Sequence, residues 1–404
     1  MGILTGITVI ELCEVYQGPL AGQSLGDFGA RVIKVERPPT GDPMRGEHYA
    51  VERNLMSSYF AATNRNKESI CLDLKSEEGR SALHALLRTA DVLLHNYRAG
   101  VMERLGFGYE ALAEINPRLI YAGASGYGDS GPLAGLAGQD LLIQSITGIA
   151  RKGTNSGATP NYLNVPLTDY ASGMLLVQGV LLALIERMSS GRGQKVSISL
   201  FDTAVSMQSL EAASLLNYGY ETRWFDLSLN FAMQVADGWV TVLGFFRQNP
   251  LQLICQALDL PDLSELMGLP TDVDQAANRE EIVERLRPAF HLLTMDEAVH
   301  RLQEVGVLSA PVLSYEQVLE HPQVTHNGMI RKVPAEGQED LRVIDHPLRL
   351  SRTPHSIRRG PPLLGEHTAE VLGGLGFDAA AIAQASSGRP EPQQLAGQSP
   401  AGDV

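Results

Sequence analysis

The sequence contains few cysteines, and those it has are far apart. Only Cys13, Cys71 and Cys255 occur in 404 residues, with no CxxC pair and no Cys/His ligand spacing. The ten histidines likewise include no HExxH or other close pair. Because disulfide frameworks and metal sites need such spacings, we expect neither disulfides nor a bound metal.

Three common signatures of catalytic or nucleotide sites are missing or incomplete. No GxxxxGK[ST] sequence exists, which excludes a P-loop, and no GxSxG sequence marks an α/β-hydrolase. Gly126–Gly131 does fit GxGxxG, but Pro132 and further glycines follow it rather than a helix. The dinucleotide fingerprint needs a helix that begins at its last glycine. We therefore expect no nicotinamide or flavin to bind there.

Basic residues are in the minority. The chain has 32 Lys and Arg against 46 Asp and Glu, a net charge of −14, which argues against binding to nucleic acid or to an anionic membrane surface. The N-terminus has no basic segment followed by a cleavage site. The longest apolar run, after Asp169, is interrupted by Gln178 and looks too short to span a bilayer. We expect a cytoplasmic protein.

The first half of the chain alternates between strand patterns and helix patterns. Such alternation predicts parallel βαβ crossovers, and hence an α/β sheet covered by helices on both faces. The predicted strands are Thr8–Leu12, Ala30–Glu36, Ser69–Leu72, Asp91–Tyr97, Leu119–Ser125 and Lys195–Phe201.

The length of the chain predicts more than one domain. We assign residues 1–215 to a large α/β domain, 230–320 to a small α+β domain and 321–385 to a return to the large domain. The small domain is expected to begin with a hairpin at Val235–Gly244, around an Asp-Gly turn. Residues 386–404 are rich in Ser, Gly, Pro and Gln, a composition that predicts a disordered tail.

Asp169 stands just before the apolar run Ala171–Ile185 and has two interpretations. One is a helix N-cap, the usual role of an Asp at such a position. The other is a nucleophile: the partial positive charge and unpaired N–H groups of a helix start keep a carboxylate ionised and can stabilise an oxyanion on an attached acyl group. Spacing alone does not separate the two.

Several motifs between about Leu4 and Phe377 occur in a characteristic order. They are Gly18-Pro19 before a helix, GARVIKVERP, NRNKESICLDLKSEEGR, DVLLHNYRAGVMERLGFGYEAL, NPRLIYAGASGYGDSGP, AGQDLLIQSITG, Asp169, GRGQKVSISLFDT, SAPVLSYEQVLEHPQV and PPLLGEHTAEVLGGLG. In sequence and order they resemble the class III coenzyme A transferases, the CaiB/BaiF family of formyl-CoA:oxalate and carnitine CoA-transferases and α-methylacyl-CoA racemase. So many motifs in one order are far more specific than any single pattern.

This resemblance implies a fold and a reaction. The fold is a Rossmann-like large domain with a parallel sheet, a smaller α+β domain and an interlocked homodimer. In the reaction, the carboxylate of Asp169 attacks an acyl-CoA thioester and gives a mixed anhydride and CoA thiolate. The thiolate returns to form an aspartyl-CoA thioester, and an acceptor acid then reverses these steps. The implied partners are an acyl-CoA and a small carboxylic acid; CoA is a cosubstrate, and no other cofactor is needed.

The resemblance also assigns roles to individual residues. The residues matching the family's CoA contacts are Arg37 at the nucleotide end, Leu72 and Lys75 beside the adenine, Asn96, Tyr97 and Arg98 at a strand end, and Arg104 near a phosphate. From their positions we also expect supporting roles near the nucleophile for Gln139, Gln17 and Asp140; Asp140 either orients the loop of the nucleophile or serves as a structural hydrogen-bonding residue. The tetraglycine lid loop of formyl-CoA transferases is missing before Val235, where this chain has LSLNFAMQ, so exchange between oxalate and formate is disfavoured.

Two alternatives stay open beside the transferase. The first is an isomerase similar to α-methylacyl-CoA racemase. Racemases of the family carry a histidine where this chain has Gln139, because a His/Asp pair moves the α-proton, and Gln139 disfavours that chemistry. The second is a catalytically silent acyl-CoA-binding relative in which Asp169 is only a helix cap.

Overall fold

The computed structural model describes residues 2–152, 158–336 and 338–387. Within these ranges the chain divides into two compact units. One comprises the residues up to Met207 together with those from Gly328 onward, and the other comprises Gln208–Asn327. Of the predicted tail, only residues 386 and 387 are described, and Ser386 ends a helix; residues 388–404 lie outside the described part.

A six-stranded sheet forms the centre of the first unit, and every neighbouring pair of its strands is parallel. Its strands are β1 (Thr8–Leu12), β2 (Arg31–Glu36), β3 (Lys67–Cys71), β4 (Val92–His95), β5 (Ile120–Ser125) and β6 (Lys195–Ser199). Their order is β3-β2-β1-β4-β5-β6, that of a doubly wound sheet. The predicted α/β fold with a parallel sheet is confirmed.

Helices cover both faces of this sheet. Those of the first unit up to Met207 are α1 (Gln17–Asp27), α2 (His48–Glu52), α3 (Ser58–Asn64), α4 (Glu77–Leu87), α5 (Val101–Arg104), α6 (Tyr109–Ile115), α7 (Asp140–Ile146), α8 (Leu167–Ser190) and α9 (Leu200–Ser206). Successive side chains of a strand point to opposite faces. Ile10 of β1 therefore joins the core with α4, whereas its neighbour Val9 joins the core with α1 and α8.

Helix α8 corrects one expectation from the sequence. It has 24 residues, and by length and composition it is long and apolar enough to cross a membrane. The expectation that this segment is too short to span a bilayer is therefore wrong. Leu176, Val180 and Ala183 on one side are buried in the core of the first unit. Leu182 and Ile185 on another side are exposed.

The second unit is built around a three-stranded antiparallel sheet. Its strands are β7 (Asn230–Val235), β8 (Gly238–Leu243) and β9 (Leu308–Pro311), in that order across the sheet. Its helices are α10 (Ser209–Tyr218), α11 (Pro250–Ala257), α12 (Leu263–Met267), α13 (Asp272–Ala277), α14 (Arg279–Phe290), α15 (Met295–Glu304), α16 (Tyr315–Glu320) and α17 (Pro322–His326). Phe231, Val242, Ile254 and Leu286 lie in its separate core.

The chain after Gly328 belongs to the first unit. It forms a two-stranded antiparallel sheet, β10 (Ile330–Lys332) with β11 (Arg342–Ile344), and the helices α18 (Thr368–Gly374) and α19 (Ala379–Ser386). Val371 and Leu372 of α18 and Ala385 of α19 lie in the same core as α4.

The buried side chain of His95, in the central sheet, makes the folding stability depend on pH. His95 ends β4 and is 8% exposed, and neither ring nitrogen has a hydrogen-bond partner among the described residues. Its ring meets that of Tyr121 edge to face, with the centroids 5.0 Å apart. Burial lowers the pKa of His95 to about 4, because the imidazolium would lose its hydration. The folded protein therefore holds the ring neutral.

We expect His95→Phe to reduce the loss of stability on acidification. Between about pH 6.5 and pH 4 the unfolded chain binds a proton at His95 that the folded chain does not, so folding stability falls as pH falls through that window. Relative to the variant, the wild type should lose about 1–2 kcal/mol between pH 7 and pH 5. Urea unfolding at both pH values measures this difference. An equal loss in both proteins would contradict the assignment.

Candidate active site

A cavity of about 800 Å³ lies at the carboxyl ends of the central strands. Its lining includes Glu14–Gln17 after β1, Asn96–Arg98 after β4, Ser125 at the end of β5 and Asp169 in the first turn of α8. The strand order reverses between β1 and β4, so the segments that follow these two strands diverge and leave a crevice. Such a switch point is the usual ligand site of an open α/β sheet.

Most of the residues singled out in the sequence meet at this cavity. Its lining includes Asp169, Gln17, Gln139, Asn96, Tyr97, Arg98 and Arg104. Asp140 is buried directly beside Asp169. Arg37 and Lys75 are exposed but outside the lining. Leu72 is 1% exposed and lies in the core. Roles for Arg37, Leu72 and Lys75 in binding CoA stay predictions.

Asp140 caps the helix that carries Asp169. Helix α8 begins at Leu167 after Pro166, and Asp169 therefore lies inside the first turn rather than at the cap. One oxygen of Asp140, Oδ2, accepts hydrogen bonds from Thr168 N at 2.7 Å, Thr168 Oγ1 at 2.6 Å and Asp169 N at 3.3 Å. These N–H groups are the ones an N-cap side chain normally satisfies. The N-cap interpretation of Asp169 is thus wrong, and Asp140 performs that task from another helix.

Gln144 holds Asp140 in this orientation. Its Nε2 donates to Asp140 Oδ1 at 2.5 Å and to the carbonyl of Leu163 at 3.1 Å, while its Oε1 accepts from Leu163 N at 3.0 Å. The segment that enters α8 and the carboxylate that caps it are therefore tied to one buried amide. The sequence gives a signal for this pair, because Asp140 and Gln144 are four residues apart on one helix.

The carboxylate of Asp169 differs from that of Asp140 because no described residue donates a hydrogen bond to it. Burial, followed by the nearby charge of Asp140, raises the pKa of Asp169 to about 7. The expectation that the helix start keeps Asp169 fully ionised is therefore corrected. Asp140 takes up the helix N–H groups, and Asp169 is left poorly solvated and poised between its two protonation states near neutral pH. Such a pKa suits a group that must react.

A buried serine connects Asp169 to the opposite wall of the cavity. Gln17 Nε2 donates to Ser172 Oγ at 2.8 Å, and Ser172 Oγ donates to the backbone carbonyl of Asp169 at 3.1 Å. Gly173 permits this close packing, since a Cβ there would lie 2.7 Å from the carbonyl oxygen of Gln17. Gln17 is thus brought beside the first turn of α8. The only signal for Ser172 in the sequence is its interruption of an apolar run.

The remaining polar side chains of the lining differ in whether their hydrogen-bonding groups are already used within the protein. Asn96 joins two walls, because its Oδ1 accepts from Glu14 N at 3.0 Å and its Nδ2 donates to Glu14 O at 2.8 Å. Arg98 and Arg104 are exposed in the lining, and no described residue forms a hydrogen bond or ion pair with either guanidinium. Two such groups suit a ligand that carries phosphates.

The glycine-rich segment after β5 serves the packing of two loops. A Cβ on Gly126 would lie 2.5 Å from the Cα of Gly138, and a Cβ on Gly138 would lie 2.3 Å from the Cα of Gly126. The backbones therefore touch only because both residues are glycine.

Across residues 2–152, 158–336 and 338–387, no group of three His, Cys, Asp or Glu side chains is arranged to hold a metal ion.

We expect Asp169→Asn to stabilise the fold more at about pH 8 than at about pH 5. The pKa of Asp169 is higher in the folded chain than in the unfolded chain. Protonation of Asp169 therefore contributes folding stability that is fully present below the unfolded pKa and is lost as pH rises through about 7. Asparagine has nearly the same shape and no charge to desolvate. Urea unfolding of both proteins at the two pH values measures the difference. An advantage that does not change with pH would contradict the proposed environment of the carboxylate.

Comparison with known proteins agrees with this geometry. Residues 4–368 match the family model of CoA-transferase family III. An acyl-CoA transferase of Fusarium pseudograminearum is 35% identical over 95% of this chain and 87% of that protein. The human succinyl-CoA:glutarate CoA-transferase is 31% identical over 91% of this chain and 85% of that protein.

A solved structure agrees as well. The crystal structure of a CaiB/BaiF family protein from Brucella suis superimposes with a TM-score of 0.84 at 29% identity, covering 93% of this chain and 99% of that chain. The match of the family model spans nearly the whole chain, including every residue that lines the cavity. The chain belongs to CoA-transferase family III and is an enzyme that transfers coenzyme A.

Proposed function

We propose that this enzyme moves coenzyme A from an acyl-CoA to a carboxylic acid through covalent intermediates on Asp169. The observation that carries this proposal is the state of the Asp169 carboxylate. It lines the cavity, no described residue donates a hydrogen bond to it, and its pKa is raised to about 7. A carboxylate without hydrogen bonds is a stronger nucleophile than a hydrated one.

The reaction proceeds by alternating attack at two carbonyl carbons. An oxygen of Asp169 attacks the thioester carbon of the acyl-CoA, the C–S bond breaks, and an aspartyl-acyl anhydride and CoA thiolate result. The thiolate then attacks the aspartyl carbon, releases the first acid as its carboxylate and leaves an aspartyl-CoA thioester. The acceptor carboxylate repeats these steps in reverse. Each step exchanges one acyl bond for another, so no oxidant or reductant is consumed.

The cavity walls have properties that suit both substrates. Arg98 and Arg104 supply cationic groups for the phosphates of CoA. Leu136, Leu142 and Leu200 give part of the lining an apolar surface. Because one relative is named for succinyl-CoA and glutarate, we propose small dicarboxylic acids as the first substrates to test.

An α-methylacyl-CoA racemase reaction has no support from the residues of this site. Gln139 lines the cavity where a racemase would need a group that accepts and returns a proton. A carboxamide does not titrate in the physiological range, so it cannot accept and return that proton. The transferase reaction needs only the carboxylate that is present.

We also propose that the enzyme is an interlocked homodimer in the cytoplasm and that it uses no cofactor besides its cosubstrate CoA. The exposed side of α8 supports an assembly with a second copy. Leu182, Ile185 and Met188 are 60%, 63% and 87% exposed there, and exposed apolar side chains grouped on one face commonly mark an interface.

We expect succinyl-CoA to leave a covalent CoA adduct on Asp169. The aspartyl-CoA thioester accumulates when the released succinate is removed and no acceptor acid is added, so intact-protein mass should rise by that of one bound CoA. Peptide mapping should locate it on the peptide that contains Asp169. Adding glutarate should discharge the adduct and release glutaryl-CoA.

The matched control is Asp169→Asn, which preserves the shape of the side chain but has no nucleophilic oxygen. It should form no adduct and no glutaryl-CoA. Formation of an adduct by the variant, or its location on another peptide, would contradict the proposal. Deuterium incorporation at the α-carbon of a 2-methylacyl-CoA, without any adduct from a panel of donors, would indicate the racemase instead.

A further inference from the structure

The loop that joins β1 to α1 contains a residue in an unfavourable backbone conformation. Val15 has a φ of 71°, in the left-handed region that L-residues with a branched Cβ avoid. Residues 14–16 of this loop form one wall of the cavity, and the loop leads directly into Gln17. A backbone in this region persists only where its surroundings hold it.

The side chain of Val15 does not provide that hold. It is 45% exposed and belongs to none of the hydrophobic clusters of the described chain. Packing of the valine against the core therefore cannot account for its conformation. Contacts of the loop backbone provide a restraint instead.

Asp42 supplies a contact at Val15 itself. It is 1% exposed, and its Oδ1 accepts hydrogen bonds from Val15 N at 3.2 Å and from Met44 N at 3.0 Å. Its Oδ2 accepts from Lys34 Nζ at 2.8 Å. The same ammonium group donates to the carbonyl of Cys13 at 2.7 Å. One buried ion pair thus holds the loop at two places.

Further contacts fix the residues on each side. Asn96 binds both the N–H and the carbonyl of Glu14. Beyond the loop, Lys67 Nζ donates to the carbonyl of Pro19 at 2.8 Å and to Glu11 Oε1 at 2.9 Å. Glu11 Oε1 also accepts from Lys34. A buried ion pair often adds little net stability, because desolvation of the charges offsets their attraction. Here the charged groups fix the geometry of the cavity wall.

We propose that Asp42 is a positioning residue for the transfer reaction. Its carboxylate holds Val15 in the left-handed conformation and so sets the shape of the wall formed by Glu14–Gln17. This role rests on the function proposed above, because the wall matters only if the cavity binds the reacting groups. Asp42 itself does not line the cavity. It acts on the reaction through the backbone of the loop.

The test combines Asp42→Ala with two substitutions at Val15. Glycine adopts a positive φ without penalty, whereas alanine removes the valine methyl groups but keeps the Cβ that disfavours it. The three enzymes Asp42→Ala, Asp42→Ala/Val15→Gly and Asp42→Ala/Val15→Ala are compared by the rate at which succinyl-CoA forms the adduct on Asp169. Val15→Gly and Val15→Ala alone are the controls for loss of the side chain.

Asp42→Ala should slow adduct formation by about tenfold or more, and Val15→Gly should restore about fivefold of that loss. Val15→Ala should restore none. Asp42 also caps the 3-10 turn Pro43–Gly46, and a role limited to that turn predicts no rescue by either substitution. Equal rescue by glycine and alanine, or no rescue by glycine, would therefore overturn the proposal.

Hydrogen exchange separates this proposal from the proposed function. If the wild type forms no adduct with any donor, the transfer mechanism fails, and exchange in peptides covering residues 13–16 still decides whether Asp42 holds the loop. Asp42→Ala should accelerate that exchange by about tenfold or more; unchanged exchange would overturn the claim. If Asp42→Ala does not fold, Asp42→Asn is used, with a smaller effect of the same direction expected in both measurements.

Discussion

Two carboxylates lie at the first turn of α8, and the reactivity of the site depends on which of them accepts hydrogen bonds from the helix N–H groups. Asp140 accepts the N–H groups of Thr168 and Asp169. The carboxylate of Asp169 is left in a partly buried position beside that charge, and its pKa rises to about 7. Had Asp169 been a helix N-cap, hydrogen bonds from backbone N–H groups would have lowered its pKa and weakened it as a nucleophile.

The surroundings of this turn all act to keep that arrangement in place. Gln144 orients Asp140, while Gln17 and Ser172 fix the backbone of Asp169 from the opposite side. The doubly wound sheet brings these groups together, because segments that follow its central strands end at one crevice. Keeping the partly buried carboxylate of Asp169 without hydrogen-bond donors lowers the folding stability, a cost that is common at active sites.

The sequence predicted those parts of this arrangement that depend on local pattern. Strands such as Thr8–Leu12 follow from β-branched residues and flanking turns, and the observed β1 has the same bounds. Asp169 could be singled out because a short acidic residue precedes a long apolar run and because a family resemblance placed a nucleophile there. Asn96, Tyr97 and Arg98 follow a strand directly, so their place at the sheet's edge was predictable as well.

Contacts between residues distant in the chain could not be read in the same way. The sequence left Asp169 with a choice between cap and nucleophile, and the cap proved to be Asp140, 29 residues earlier. An apolar residue after a strand gives no local sign of which side it faces, and Leu72, assigned to the adenine side of the CoA site, packs in the core. The buried partners of Lys34 and the positive φ of Val15 likewise have no local signal.

Transfer of isotope from the acceptor acid to Asp169 tests the central claim most directly. The acceptor carboxylate, labelled with ¹⁸O, attacks the aspartyl-CoA thioester, and one of its oxygens becomes the bridge of the new anhydride. When CoA attacks the acyl carbon, that oxygen stays on Asp169. After turnover with succinyl-CoA and labelled glutarate, mass spectrometry should find ¹⁸O in the peptide containing Asp169. Turnover that leaves this peptide unlabelled would contradict an anhydride on Asp169.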